Sequence, residues 1–340
     1  MSHKLEKATF IGRVTDLLRS CGLQQDEALS VIHHLLDCEH IGKPSHGFIR
    51  IPKIVADLRK YPQSQISLEK ESSVSTLVNG GNKTGLIVAD HAAQIAIQKG
   101  KESKICIVGG YNITGTVGAL GYYTRKIAEN NLVGLMVCNS EHAMPATGGY
   151  SLIFGTNPLS ISIPSDGEPI VIDFATSKMT FGDLMLAMKE GRSIPEDIIL
   201  DKNGRTSTDP NDAWEGPLLP IAGHKGYCLA LAIEILAGPL VNAKAGASAV
   251  PGSDGFTLIA IDPELFVSTS NFKSQVTSLI NEIKNSKRLP GVDKILLPGE
   301  SSNRLRLINQ ADSFLNLPEQ LVTDINELYN SLNTGGRTLE

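Results

Sequence analysis

A histidine and an arginine four positions apart give this chain its first hint of chemistry. They lie in Asp37-Cys38-Glu39-His40-Ile41-Gly42-Lys43-Pro44-Ser45-His46-Gly47-Phe48-Ile49-Arg50-Ile51-Pro52, where a helix is expected to stop. Gly42 and Pro44 end that helix, and Ser45 can cap the turn that follows. If the turn is helical, His46 and Arg50 share one face. An imidazole beside a guanidinium suits a carboxylate substrate with a reactive carbonyl. Arginine grips the carboxylate through two hydrogen bonds, and histidine exchanges a proton with the neighbouring oxygen. The same spacing also fits a surface histidine beside a solvated arginine, so other residues must give the pair its meaning.

Holding such a pair takes a scaffold, and the hydrophobic pattern predicts alternating helices and strands. Helical spacing covers 5–20 and 25–39, with His33 and His34 beside the apolar stripe of the second helix and read there as ordinary helix-face residues. A third helix is expected over 47–60, interrupted or kinked at Pro52. Two short strands fit 66–79, and the glycine-rich loop 79–85 opens an apolar helix over 85–99. Strand 105–108, helix 118–129 and strand 132–137 follow, the pattern of a buried sheet with helices on its faces. Further strands are expected at 159–163, 169–173 and 257–261. Further helices are expected at 179–188 (ending at Gly191), 226–240, 270–286 and 317–333, the last followed by a polar tail. Helix 226–240 is the most apolar and is expected in the core. The irregular stretch 192–222 is long enough to be functional or packed.

Composition narrows the partners. The chain has 340 residues, 41% hydrophobic and 20% charged, with a formal net charge of −5. This describes a globular chain able to bury one large core or several smaller ones. No run approaches the eighteen or so apolar residues of a membrane span and the start has no apolar signal core, so a cytoplasmic protein is expected. Cys21, Cys38, Cys106, Cys138 and Cys228 are widely spaced and mostly lie in apolar patterns, which predicts reduced thiols and no zinc site. The absence of a basic run argues against nucleic acid.

The common cofactor signatures are missing. No Gly-x-Gly-x-x-Gly follows a strand, and Gly115-Thr116-Val117-Gly118-Ala119-Leu120-Gly121 has a different spacing, so a conventional dinucleotide fold is not expected. There is no Walker loop, no Gly-x-Ser-x-Gly and no His-Glu-x-x-His. Instead one ordered series of motifs runs from about residue 5 to 330. It comprises Ser45-His46-Gly47 with Arg50, Asn139-Ser140, Gly155-Thr156-Asn157-Pro158, Asp173-Phe174-Ala175-Thr176-Ser177, Leu219-Pro220 with Gly223-His224-Lys225-Gly226-Tyr227, and Leu297-Pro298-Gly299-Glu300. In this series the chain resembles the type-2 malate/L-lactate dehydrogenase family, which includes ureidoglycolate and sulfolactate dehydrogenases, 2,3-diketogulonate reductase and reductases of cyclic imino acids.

The resemblance implies a non-Rossmann α/β fold, a mixed sheet with flanking helices plus a helical region. It implies NAD or NADP as cofactor, a small carboxylate as substrate, and a homodimer whose active sites lie near the subunit interface. Residues 1–75, packing with 270–340, would form the helical region that carries substrate residues, and 76–269 the cofactor domain. His46 would be the proton donor, with Asp173 as its partner. A helix-start dipole would lower the histidine pKa, and the carboxylate would raise it back toward the working pH. Asp173 could equally be a strand-end cap. Ser45 and Arg50 would hold the substrate carboxylate, and Ser140 and Thr116 would line the pocket. Asp173, Phe174, Ala175, Thr176, Ser177, Lys178, Met179, His224, Lys225, Pro298, Gly299 and Glu300 would contact the cofactor.

One departure stands out. Many relatives carry a histidine where this chain has Thr116, and a hydroxyl cannot take up a proton near neutral pH. His142 could enter the pocket in its place or be a loop residue without a role. Reduction of a 2-oxo acid leads, and reduction of a cyclic imino acid comes second. A cofactor-binding protein without hydride transfer is the reading from another class, and retention of His46, Arg50 and Asp173 together argues against it.

Overall fold

The first and last described elements pack in one small helical layer, although they lie some three hundred positions apart. A computed structural model describes residues 2–246 and 252–333. Strand β1 (Ser2–Glu6) leads into α1 (Lys7–Ser20), and α2 (Gln25–His40) opens with a capping box between Gln24 and Glu27. Two 3-10 turns, Pro44–His46 and Phe48–Arg50, then precede α3 (Ile51–Lys60). The helix expected over 47–60 is therefore broken, but at Ile51 and not by an interruption or kink at Pro52. Pro52 falls in the first turn of α3, where its missing N–H is not needed, so it starts the helix instead of bending it.

Apolar faces of these helices, including Val14, Leu17, Ile32, Leu35, Phe48 and Ile54, close on Leu315, Leu317, Leu321 and Ile325 from the other end of the chain. A five-residue strand Phe314–Pro318 pairs antiparallel with β1, from Ser2 opposite Pro318 to Glu6 opposite Phe314. Neither strand is legible locally, because each exists only through the other. The first helix consequently starts two residues later than its periodicity predicts. The polar tail expected after 333 lies outside the described residues.

The middle of the chain builds a seven-stranded sheet. In chain order its strands are β2 (Ser67–Glu71), β3 (Ser75–Asn79), β4 (Ile105–Tyr111), β5 (Val133–Cys138), β6 (Leu159–Ile163), β7 (Ile170–Phe174) and, after the two-residue strands β8 (Ile199–Leu200) and β9 (Thr206–Ser207), β10 (Phe256–Ile261). Their spatial order is β2-β3-β4-β10-β5-β6-β7. Only β3 and β4 run parallel; every other neighbouring pair is antiparallel. This is a mixed α/β sheet and not the parallel doubly wound sheet of a conventional dinucleotide fold. Helices α4 (Gly85–Ser103) and α5 (Leu120–Glu129) pack on one face, against Val108, Met136, Cys138 and Leu258. Side chains of opposite parity, Leu135 and Val137, meet the other face's helix, α7 (His224–Ala237).

Between β7 and α7 comes α6 (Phe181–Glu190), capped by the Thr180 side chain and ended by Gly191 in the left-handed region. With the irregular stretch 192–222 it forms a separate packed cluster of Leu184, Ala187, Ile194, Ile198, Ile199, Ala213 and Leu218. Helix α7 departs from expectation. Its segment His224–Val241 reaches eighteen residues at a mean hydropathy of 1.2, long and apolar enough by composition to cross a membrane. Yet Ile233 and Ala237 are buried against the sheet, whereas Ile235 (51%), Leu236 (41%) and Leu240 (62%) point outward. It is a half-buried helix with an apolar outer face, because apolar residues surround it and the sheet covers only one side.

The C-terminal third adds α8 (Thr269–Asn285), none of whose side chains is buried, then α9 (Glu300–Ala311) and α10 (Glu319–Asn333). Helix α9 is unforeseen in the sequence pattern, its stability coming from ion pairing more than from an apolar stripe. Arg306 donates to both carboxylate oxygens of Asp37 at 2.7 and 3.1 Å, and Arg125 of α5 reaches the same carboxylate at 3.0 Å. This buried fork ties α9 to α2 and to the sheet-side helix α5.

Candidate active site

Glu39, in the last turn of α2, builds the floor of the site. Its Oε1 accepts the Phe48 amide at 2.9 Å, so its side chain passes directly beneath Gly47. A Cβ on Gly47 would stand 2.0 Å from that oxygen, and the position accordingly carries glycine. Gly47 is extended (φ −88°, ψ −150°) and separates the two 3-10 turns. His46 and Arg50 therefore do not share one helical face. A different contact brings them together, since Arg50 Nε donates to the Ser45 carbonyl at 2.7 Å. Among the described residues this is the one hydrogen bond of the guanidinium, which leaves its terminal nitrogens for another acceptor.

Three further elements close on this turn. Ser45 Oγ lies 3.1 Å from His46 Nδ1, and Gly182 at the start of α6 packs so tightly on Ser45 that a Cβ there would come within 2.6 Å of the serine Cβ. From β7, Asp173 accepts from Lys43 Nζ at 2.8 Å. Gly121 of α5 abuts Asp173 and Val171. The partner of Asp173 in the structure is thus Lys43, and no hydrogen bond joins it to His46. Burial, then Arg50 and Lys43, push the His46 pKa down to about 4, against the weaker opposing pull of Asp173 and Asp183. The expected return toward neutrality does not occur, because the carboxylate is engaged elsewhere and burial dominates. Burial likewise lifts the Glu39 carboxyl to about 7, with the Phe48 amide opposing.

The remaining expected residues fall into two groups. One forms a ribbon continuing from β7: Lys178 N donates to Leu219 O, Ile221 N donates to Thr176 O, both at 2.8 Å, and Ser177 bridges to Pro220. Phe174 is exposed, Ala175 half-buried, and Met179 packs at the edge of the α6 cluster. The ribbon delivers the chain to Ala222 and Gly223, both at positive φ, and then to exposed His224 and Lys225 at the start of α7. No side chain caps that helix, so its first amides and Lys225 are available to an anion. The Pro298-Gly299-Glu300 turn returns to the same strand: Gly299, at φ 80°, lies where a Cβ would meet the Val171 carbonyl at 2.8 Å. Glu300 itself is bonded to the Leu297 amide and to Lys284, each at 3.1 Å.

The second group is occupied structurally. Ser140 Oγ accepts the Thr156 amide at 3.1 Å, and Thr116 Oγ1 accepts the Gly118 amide at 2.9 Å. Among the described residues, no hydrogen bond links either to His46 or Arg50. His142 bonds the Gly246 carbonyl. Lys43 and Glu39 have no role in the sequence reading, and His34, read there as an ordinary helix-face residue, is a core residue instead. His34 is fully buried and its Nε2 accepts the Ala119 amide at 3.0 Å, anchoring the start of α5. No local signal marks these roles: the partners of Lys43 and His34 lie 130 and 85 positions away, and Glu39 reaches past the end of its helix to Phe48.

With this geometry in view, comparison with known proteins is decisive. Residues 6–326 match the malate/L-lactate dehydrogenase family along nearly their whole length. The chain belongs to the malate/L-lactate dehydrogenase family. It is 35% identical over 331 residues to the malate/(S)-sulfolactate dehydrogenase of Methanothermus fervidus, covering 94% of this chain and 95% of that one. The sulfolactate dehydrogenase structure from Methanocaldococcus jannaschii superposes with a TM-score of 0.89 at 30% identity, covering 97% of this chain and 98% of the other. The delta1-piperideine-2-carboxylate reductase of Pseudomonas syringae pvar. tomato gives a TM-score of 0.84 at 26% identity, covering 96% and 99%. The family member described here is a mixed-sheet oxidoreductase with the Ser45-His46-Arg50 turn set against β7.

Proposed function

We propose that this family member is a nicotinamide-dependent dehydrogenase of a small 2-hydroxy acid, working reversibly with the 2-oxo acid and using NAD or NADP. The observation that carries this reading is the convergence of His46, Arg50 and the Lys43–Asp173 pair at the end of β7, from which the ribbon 176–178 leads to the uncapped start of α7. The fit to a dinucleotide is chemical: the uncapped amides at the start of α7 and Lys225 suit a pyrophosphate. When bound, the nicotinamide supplies or accepts the hydride.

The protein's own groups do the rest. Arg50 offers its terminal nitrogens to the substrate carboxylate, and Ser45 fixes the imidazole of His46. In the oxidative direction neutral His46 takes the hydroxyl proton as the carbonyl forms; in the reductive direction the protonated ring returns it. Cofactor binding is assigned to the sheet-based region 76–269, and the substrate-binding turn to the helical region 1–75 with 270–340. A cytoplasmic setting accords with five free cysteines. The outward apolar residues of α7 support a homodimer.

A cyclic imino acid is the second substrate reading, supported by the likeness to the piperideine-carboxylate reductase. Nicotinamide absorbance followed with both cofactors against 2-hydroxy acids, 2-oxo acids and cyclic imino acids decides between them. Cofactor binding without turnover of any of these would leave a binding protein. Light scattering at two concentrations tests the dimer.

A further inference from the structure

Lys43 and His46 sit on one short turn, and the carboxylate that Lys43 holds, Asp173, also acts on His46 through its charge. Lys43 is the residue before the Pro44–His46 turn, and its carbonyl accepts the His46 amide at 3.0 Å. Its ammonium reaches across to β7 and holds Asp173 at 2.8 Å, with the lysine side chain 38% exposed and the aspartate 14%. Gly121 of α5 lies beside it, where an added Cβ would stand 3.1 Å from its Oδ2, so the carboxylate keeps its place only while that position is glycine. The charged and titratable groups acting on His46 are Lys43 on its own turn, Arg50 on the next, Asp173 from β7 and Asp183 from α6. His34 of α2 lies near enough for the two imidazoles to disfavour each other's charge. Among the elements around the turn, α2 also contributes Glu39, whose carboxylate is spent on the Phe48 amide.

We propose that Lys43 is a positioning residue: by holding Asp173 in an ion pair it decides whether that carboxylate is available to His46, and so how readily the imidazole takes a proton. The proposal rests on the reading of His46 as the proton-transfer group for its bearing on turnover, but not for its test. Lys43 acts in two ways with one sign. Its positive charge disfavours imidazolium directly, and its grip withholds the nearest carboxylate. Both keep His46 neutral, the form that accepts a proton from a hydroxyl, and both disappear together when the lysine is removed.

The test is the titration of the His46 imidazole by NMR in the protein without cofactor or substrate, comparing the natural chain with K43M, K43Q and K43R. The titration midpoint should rise by roughly one pH unit or more in K43M and K43Q, and stay near its natural value in K43R, where a cation can again grip Asp173. Adding D173N to K43M should cancel most of the rise. The acid limb of kcat/KM for oxidation should move upward with the midpoint, a change that mere loosening of the turn would not produce. An unmoved midpoint in folded K43M and K43Q overturns the proposal. An equal rise in K43R overturns it too, and a rise that persists undiminished in K43M/D173N refutes the hand-over of the carboxylate. Because the titration needs no turnover, it succeeds or fails independently of the role of His46 in the reaction.

Discussion

The Glu39 carboxylate crosses under the backbone of Gly47 to accept the Phe48 amide at 2.9 Å, and this one bond sets the path of the turn between His46 and Arg50. Gly47→Ala would place a methyl group 2.0 Å from Glu39 Oε1, so either the carboxylate leaves its amide or the turn moves. Overpacking of this kind costs about 1–3 kcal/mol. We expect a lower melting temperature together with a loss of kcat/KM of at least about 10²-fold, since catalytic geometry tolerates displacements of only about 1 Å. A variant with full activity would show that the turn does not depend on this crossing.

His46→Asn keeps a polar side chain and removes the titrating proton. Turnover should fall by about 10²–10⁴-fold while cofactor affinity is little changed. Steady-state rates beside a fluorescence titration with the cofactor separate the two effects, and unaltered turnover would remove His46 from the mechanism.

Arg50→Lys preserves charge but cannot both hold the Ser45 carbonyl and grip a carboxylate at two points. Substrate binding should weaken by roughly 1–3 kcal/mol, appearing in KM. A normal KM for every carboxylate tested would contradict the assigned role.

The Thr116 hydroxyl accepts the Gly118 amide. If Thr116 lines the substrate pocket at the place of the relatives' histidine, as the family resemblance implies, Thr116→His should add activity on ureidoglycolate-type substrates. Loss of the Gly118 bond should cost about 0.5–1.5 kcal/mol in either case. Denaturation and a substrate panel on the same variant distinguish a pocket residue from a purely structural one.

Buried histidines should make the fold acid-sensitive. Burial holds His34 at about 3 and His46 at about 4, both below the usual 6.5, so the unfolded chain binds more protons between those values. Their stabilisation is complete above pH 6.5 and is lost as pH falls toward 3 to 4. Glu39 and Asp254, raised by burial from 4.5 and 3.8 to about 7, act with the opposite sign between those values and about 7. The contribution of His34 is therefore read by difference. His34→Gln keeps an acceptor for the Ala119 amide and removes the proton site, so it should flatten the stability slope below pH 6.5 by up to about 1.4 kcal/mol per pH unit. Parallel curves for the variant and the natural chain would show that His34 titrates normally.

Much of this protein is determined within short stretches of its sequence. Apolar spacing along 25–39 and 85–99 yields α2 and α4 because one face of each must be buried wherever the helix ends up. Continuous apolar runs at 105–108 and 132–137 yield buried strands for the same reason. The chemistry-bearing turn was legible as well, since Gly42, Pro44 and Ser45 stop one element and begin another through their own backbone and side-chain preferences. Tertiary structure decided what local preference cannot express. Strand β1 and the strand Phe314–Pro318 exist only as each other's hydrogen-bond partners, and α9 is held through Arg306 by a carboxylate 269 positions away. An apolar period could not reveal that the sheet would cover only one side of α7. Nor could the spacing of His46 and Arg50 show that Gly47 would break their helix, or that Asp173 would go to Lys43. Ion pairs and hydrogen bonds act over a few ångströms regardless of sequence separation, so their partners are chosen only when the chain has folded.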